Sequence, residues 1–174
     1  IHTGMTTPDT VTLQGVLQQG HKQKALFACL ETSSHGLAQG RLEGINFQIG
    51  IFTNLTQDHL DYHRNMDAYY RAKRRLFEYM LFSSRKHPES AKGAVICIDD
   101  DYGKRLYAWL KSQAPSFPVI SLSLREKSAD ALVTDVEATF DGYSCVLLFA
   151  QKSYFIKTKL LGRFNLMNLS ASFL

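Results

Sequence analysis

An α/β fold, with a mostly parallel sheet flanked by helices and an antiparallel meander near the C-terminus, is what this sequence predicts. Up to about Lys127, short apolar runs alternate with amphipathic stretches of helical period, the pattern of strands joined by right-handed crossovers. After Lys127 the rhythm changes, and strand-like runs follow one another with only short polar turns between them. The chain has 174 residues, 45% of them hydrophobic and 21% charged, which suits one domain with its own core.

Each element has a local reason. Thr7-Pro8-Asp9 supplies an N-cap, a proline at the first helical position and an early acid. Leu13, Val16 and Leu17 then make an apolar stripe that Gly20 can end. "KALFACLE" reads as a buried strand ending at Glu31, and "FQIGIFTN" as another ending near Asn54. A long helix is expected from about Met66 to Leu81, then a strand at "GAVICI", a helix at "DYGKRLYAWLKSQA" and a strand at "FPVISLSL". "ALVTDVEATF", "YSCVLLFAQ" and "YFIKTKLL" form the meander, with turns at Asp141-Gly142 and Lys152-Ser153. "SSRKHPESAK" reads as a surface loop, and "NLMNLSASFL" as a helix just starting. The parallel part thus covers about 1–126, the meander about 127–161 and the helix start 162–174.

Bulk properties narrow the function. The net charge of +4 suits an anionic partner, but the basic residues are spread out rather than gathered in a nucleic-acid-binding tract. Cys29, Cys97 and Cys145 form no C-x-x-C pair, which argues against a disulfide framework or zinc knuckle and for a reducing, cytoplasmic setting. Cys29 and Cys97 lie in apolar runs and read as small core residues. No apolar run reaches membrane-spanning length, and the N-terminus lacks the layout of a signal peptide.

In open α/β sheets ligands collect beyond the carboxyl ends of the strands. Two strand ends here are polar: "ETSSHGLAQGR" after the first and "TNLTQDHLDYH" after the second. Glu31, one residue past an apolar run, reads either as a ligand or as a cap or ion-pair partner of Arg41. His59 sits among Asp58, Asp61 and His63, so it can be a metal ligand or a plain hydrogen-bonding residue. A glutamate with one histidine suits magnesium better than zinc. His35 and His63 read as hydrogen-bonding partners. Lys73, within "RAKRR", can be a solvated cation, a phosphate ligand, or a neutral amine that takes up carbon dioxide as a carbamate. No G-x-x-x-x-G-K-[ST] occurs, so a nucleoside triphosphate would need a phosphate cradle from outside this sequence.

"TTPDTVTLQ", "ETSSHGLAQGR", "FTNLTQDHLDYH", "YRAKRRLF" and "LLGRFNLMNLSA" together resemble the central domain of the bacterial Mur ligases. They match in order and spacing from about Thr6 to Phe77 and again from about Leu160 to the end. The resemblance is strongest to the ligase that adds the third residue of the peptidoglycan peptide. It implies an ATP-dependent reaction: the side-chain carboxylate of UDP-N-acetylmuramoyl-L-alanyl-D-glutamate becomes an acyl phosphate, which the amine of a diamino acid attacks to give an amide. It places Thr6, Thr7, Ser33, Gln39 and Arg41 on the muramoyl dipeptide, and Glu31, His59 and a carbamylated Lys73 on magnesium. Asn165 and Asn168 fall at the adenine end of ATP. Thr32 departs from the family's usual valine without touching a role. The resemblance also implies a monomeric fragment of a cytoplasmic bacterial enzyme. It would lack the nucleotide-sugar domain, the phosphate-binding strand and the amino-acid-binding domain, and would be inactive, poorly soluble and weak in ATP binding alone. Three other readings compete. A metal-dependent hydrolase would use the DHLDYH cluster, but the sequence has no histidine after His87 to supply further ligands. A folylpolyglutamate-synthase-like ligase is separated by the E-x-S-S-H block. A basic nucleic-acid module would need exposed aromatics such as Tyr69 and Tyr70, and helical spacing buries at least one of those.

Overall fold

The computed structural model describes residues 5–57, 60–86 and 92–174. In chain order the first elements are α1 (Thr10–Lys22), α2 (Ser34–Ala38), β1 (Ile49–Phe52), α3 (Leu60–His63), α4 (Met66–Lys86) and β2 (Gly93–Cys97). Then come α5 (Asp101–Gln113), β3 (Val119–Ser123), β4 (Ala131–Thr139), β5 (Gly142–Phe149), β6 (Lys152–Thr158) and α6 (Arg163–Phe173). They form two compact units, Ile1–Phe47 with Gln57–Ser83 and Gln48–Thr56 with Ser84–Leu174.

In the first unit α1 is capped by Asp9 rather than Thr7. The Asp9 carboxylate accepts the Thr12 N–H at 3.0 Å and the Thr12 hydroxyl at 2.7 Å. The helix runs through Gly20, since an internal glycine costs only about 1 kcal/mol, and stops where Lys24 turns left-handed at φ 59°. α4 extends five residues beyond the expected Leu81.

The expected strand at "KALFACLE" does not form. Residues 25–30 join no ladder, and Leu26 and Phe27 are 87% and 92% exposed. A strand is defined by its neighbour, and no described segment pairs with this one. Cys29 is therefore exposed rather than a core residue, whereas Cys97 and Cys145 are buried. Burial pushes the Cys97 thiol up to about 11, so it stays protonated and unreactive.

The second unit is a six-stranded sheet in the order β1-β2-β3-β4-β5-β6. β1 to β4 pair in parallel, and β4, β5 and β6 pair antiparallel. The β3–β4 connection is too short for a helix, yet it suffices, because Leu122 near the end of β3 pairs with Ala131 at the start of β4. The chain need not travel back along the sheet. Asp130 fixes the entry: its carboxylate accepts the Ser121 N–H at 2.9 Å and the Ser121 hydroxyl at 2.7 Å. Val95 and Cys97 of β2 pack in one core with Leu122, Val133, Leu147 and Leu166 of α6. By strand alternation Ala94 and Ile96, also buried, face the other side.

The second hairpin turn lies two residues before the expected Lys152-Ser153. Phe149 pairs with Lys152, and the intervening Ala150 and Gln151 both have positive φ, 49° and 61°. That is the backbone of a type I′ turn, built without the asparagine or glycine that signals one.

Two adjacent carboxylates tie strand ends together. Asp99 accepts the Ser123 hydroxyl and, at 3.1 Å, the Leu124 N–H just beyond β3. Asp100 caps α5 by accepting the Gly103 N–H at 2.7 Å, and its other oxygen accepts the Leu55 N–H beyond β1 at 3.2 Å. Asp100→Ala removes the cap and orphans Leu55, so chemical denaturation should report a loss of about 1–2 kcal/mol. Asp100→Asn should recover the cap alone, because its single oxygen cannot accept from both Gly103 and Leu55.

Candidate active site

Every proposed substrate-binding residue lies in the first unit, where one hydroxyl staples two loops. Thr7 is buried; its hydroxyl donates to the Glu31 carbonyl at 2.9 Å and accepts the Ser33 N–H at 2.8 Å. Both bonds of that oxygen serve the backbone, so the Thr7 side chain shapes the site from beneath. Thr6 is exposed. With Pro8, Cys29, Leu30 and Glu31 it lines a hollow of about 270 Å³.

Ser33 opens α2 by accepting the Gly36 N–H at 3.1 Å. Gly36 has to be glycine: a Cβ there would stand 2.6 Å from Thr7 Cγ2 and 3.1 Å from Ser33 Oγ. After α2 come Gln39 and Arg41. Arg41 Nε and Nη2 donate to Gln39 Oε1 at 2.9 and 2.6 Å, and Nη1 donates to the Thr7 carbonyl at 2.7 Å.

Lys73 and Arg75 turn the basic run of α4 toward these loops. Arg75 Nη1 donates to the carbonyls of Leu37 and Ala38 at 3.1 and 2.8 Å, satisfying the end of α2. Arg74 faces away and pairs with Glu78 at 2.9 Å. Lys73 is partly buried, with Nζ donating to the Thr32 carbonyl at 3.1 Å. Burial holds its pKa below the usual lysine range, and the nearby Glu31 carboxylate opposes that shift. Glu31 itself is exposed, so its charge needs no buried partner. Glu31 and Lys73 thus stand within electrostatic reach of each other, while Asp58 and His59 lie outside the described residues.

His63 is buried and hydrogen-bonded, as the sequence suggests: Nε2 meets Ser34 Oγ at 2.8 Å, and the ring stacks on Tyr69 with centroids 5.1 Å apart. Tyr69 and Tyr70 are both buried, so neither is the exposed aromatic that the nucleic-acid reading needed from this helix. In the second unit Asn165 Nδ2 donates to the Leu161 carbonyl at 2.7 Å, and Asn168 is exposed one turn further along α6.

Sequence reasoning did not single out Ser34, Gly36, Tyr62 or Arg75. Their roles depend on α2 and α3, five and four residues long, too short to leave a periodic signal.

The donor set fits a hard cation only in part. Among the described residues no three of His, Cys, Asp or Glu gather around one point. Glu31 offers one carboxylate, and a carbamate on the depressed amine of Lys73 would add oxygen donors of the kind magnesium takes.

Residues 2–174 match the Mur ligase middle domain. The chain is 43% identical over 166 residues to the UDP-N-acetylmuramoyl-L-alanyl-D-glutamate–2,6-diaminopimelate ligase of Neisseria meningitidis, covering 95% of this chain and 32% of that protein. To the ligase of the same name from Geobacter metallireducens it is 41% identical, covering 96% and 31%. A solved structure of a ligase of that name superposes with a TM-score of 0.81 at 36% identity, over 94% of this chain and 32% of the other. The chain spans about a third of the length of the curated relatives it matches.

Proposed function

The chain belongs to the Mur ligase family through its middle domain, and from that premise we propose that it serves an ATP-dependent ligase of peptidoglycan precursor synthesis. The acceptor is UDP-N-acetylmuramoyl-L-alanyl-D-glutamate and the added residue 2,6-diaminopimelate, as in the names of its relatives. The setting is the bacterial cytoplasm; among the described residues no helix is long and apolar enough to cross a membrane.

One observation carries the reading: a partly buried lysine of depressed pKa, within reach of a carboxylate, beneath a loop organised by Thr7, Ser33 and Arg41. A free amine can attack carbon dioxide only when neutral, and burial raises the neutral fraction of Lys73 at any given pH. The new nitrogen–carbon bond gives a carbamate, and the displaced proton leaves to solvent. Glu31, His59 and this carbamate would hold magnesium, which supplies charge neutralisation for phosphoryl transfer. Ser33 and Arg41 bind and orient the anionic dipeptide, with Thr6 at the edge of the hollow and Thr7 holding the loop. Asn165 and Asn168 serve the adenine end of ATP.

The test is phosphate release by the full-length protein. It should require ATP, the muramoyl dipeptide and diaminopimelate together, with lysine a poor replacement; release without the dipeptide would sink the reading.

Arg41 makes a sharper prediction. Charge-assisted contacts are worth roughly 1.5–3 kcal/mol, so Arg41→Ala should raise the KM for the dipeptide about 10–100-fold. The KM for ATP should stay within about twofold. Equal losses on both substrates would mean a collapsed loop instead.

A further inference from the structure

The Arg41 guanidinium has five N–H groups, and most are committed before any ligand arrives. Nε and Nη2 each give one to Gln39 Oε1, and Nη1 donates to the Thr7 carbonyl and, at 3.4 Å, to Met5 Sδ. One N–H on Nη2 and the positive charge remain for a substrate, so the aim of the group is set by what holds Gln39.

Gln39 has a two-faced amide. Its Nε2 donates to the Tyr62 hydroxyl at 3.3 Å, which turns Oε1 toward Arg41. Reversed, the amide would set N–H groups against the guanidinium, donor facing donor. Tyr62 is itself held in place. Its ring lies on His35 with centroids 4.1 Å apart and meets His63 edge-on at 4.8 Å. His63 is anchored by Ser34 at 2.8 Å and by the Tyr69 stack. A line of contacts therefore runs from the buried side of α3 through Tyr62 and Gln39 to Arg41.

We propose that Tyr62 is a positioning residue: through the Gln39 amide it fixes the direction in which Arg41 presents its charge to the anionic substrate. The identity of that substrate rests on the reading under Proposed function; the relay itself does not.

Two measurements on the full-length protein test it. Tyr62→Phe keeps the ring and its stacking and removes only the hydroxyl. A hydrogen bond of this kind corresponds to roughly a threefold to tenfold change in equilibrium. The KM for the muramoyl dipeptide should rise by about that factor, with kcat and the KM for ATP within about twofold. In a Gln39→Ala background the same substitution should have no further effect, because the two residues act in series. An unchanged KM in Tyr62→Phe, or full additivity with Gln39→Ala, overturns the proposal.

The second measurement needs no substrate. The Arg41 Nε–H, identified in nitrogen-15 spectra by its loss in Arg41→Lys, should exchange slowly with solvent in the wild type and markedly faster in both Tyr62→Phe and Gln39→Ala. Unchanged exchange in Tyr62→Phe overturns the relay whatever the ligand. A wild-type protein that neither binds nor turns over the dipeptide overturns the functional reading instead, and the exchange data then decide the relay alone.

Discussion

Lys73→Ala in the full-length protein is expected to lower turnover by a factor on the order of 10²–10³, the scale of losing one preorganised electrostatic group from a reacting centre. The substitution leaves Thr32 without its donor and Glu31 without its neighbouring cation, yet α4 should stay folded, since alanine is the best helix former. The loss should therefore appear in kcat, with the unfolding midpoint little changed. Acetate at tens of millimolar (roughly its own weak affinity for such a gap) should return part of the activity by standing in for the proposed carbamate. Full turnover in the variant would make Lys73 an ordinary solvated cation. The pH dependence has a definite sign. The folded-state pKa of Lys73 lies below the ordinary lysine value of 10.5, mainly because of burial. The unfolded chain therefore binds more protons at this residue, and its contribution to stability rises with pH between the two values. Carbamate formation gains in the same direction as the neutral amine increases. Carbon dioxide depletion should thus inhibit the enzyme more at the acidic end of its working range.

Gly103→Ala should be strongly destabilising for so small a change. A Cβ at this position of α5 would stand 1.9 Å from the Cys97 carbonyl oxygen and 3.0 Å from its carbon. Both are backbone atoms of β2 that cannot rotate away, so the helix must lift from the sheet. Overpacking of this kind typically costs 1–3 kcal/mol. A value of about 3 kcal/mol is expected, because the same lift pulls Asp100 from its bonds to Gly103 and Leu55. The urea midpoint should fall with its slope unchanged. Gly15→Ala in α1 is the control: nothing lies within 4 Å of the added carbon, and the change should be neutral or stabilising by up to about 1 kcal/mol. Equal effects at the two positions would mean that α5 does not seat on β2 this closely.

Most of the sheet was legible in the sequence, because β2, β3 and the meander carry clear apolar runs bounded by turns, and the pairing follows chain order. Three features were not. The apolar run 24–31 has strand composition, but composition cannot supply a pairing partner. The Ala150-Gln151 turn adopts positive φ without glycine or asparagine, imposed by the register of β5 and β6 on either side. Thr7 looked like a helix cap because Pro8 and Asp9 follow it, yet Asp9 takes the cap and frees Thr7 to bind one loop at two points, 24 and 26 residues away. The site shows the same division. Chemistry-bearing types such as Glu31, Arg41 and Lys73 stood out by residue type and by the polar stretches around them. The residues that orient them, Tyr62, His63 and Arg75, act through separations of 23, 29 and 38 residues that no local pattern records, and Gly36 acts on Thr7 from a different part of the chain.

The unit that holds these residues is discontinuous in the chain, interrupted by Gln48–Thr56, which belongs to the sheet. During synthesis its first part therefore emerges before the partners that finish it. The carbonyls of Leu37 and Ala38 wait for Arg75, that of Thr32 waits for Lys73, and the Ser34 hydroxyl waits for His63. A nascent chain stopped at Phe47 has the stretch from Ser33 to Arg41 in sequence but not in shape. Protease-resistant structure in ribosome-bound chains should appear only once α4 has cleared the exit tunnel, and this loop is completed from its C-terminal side.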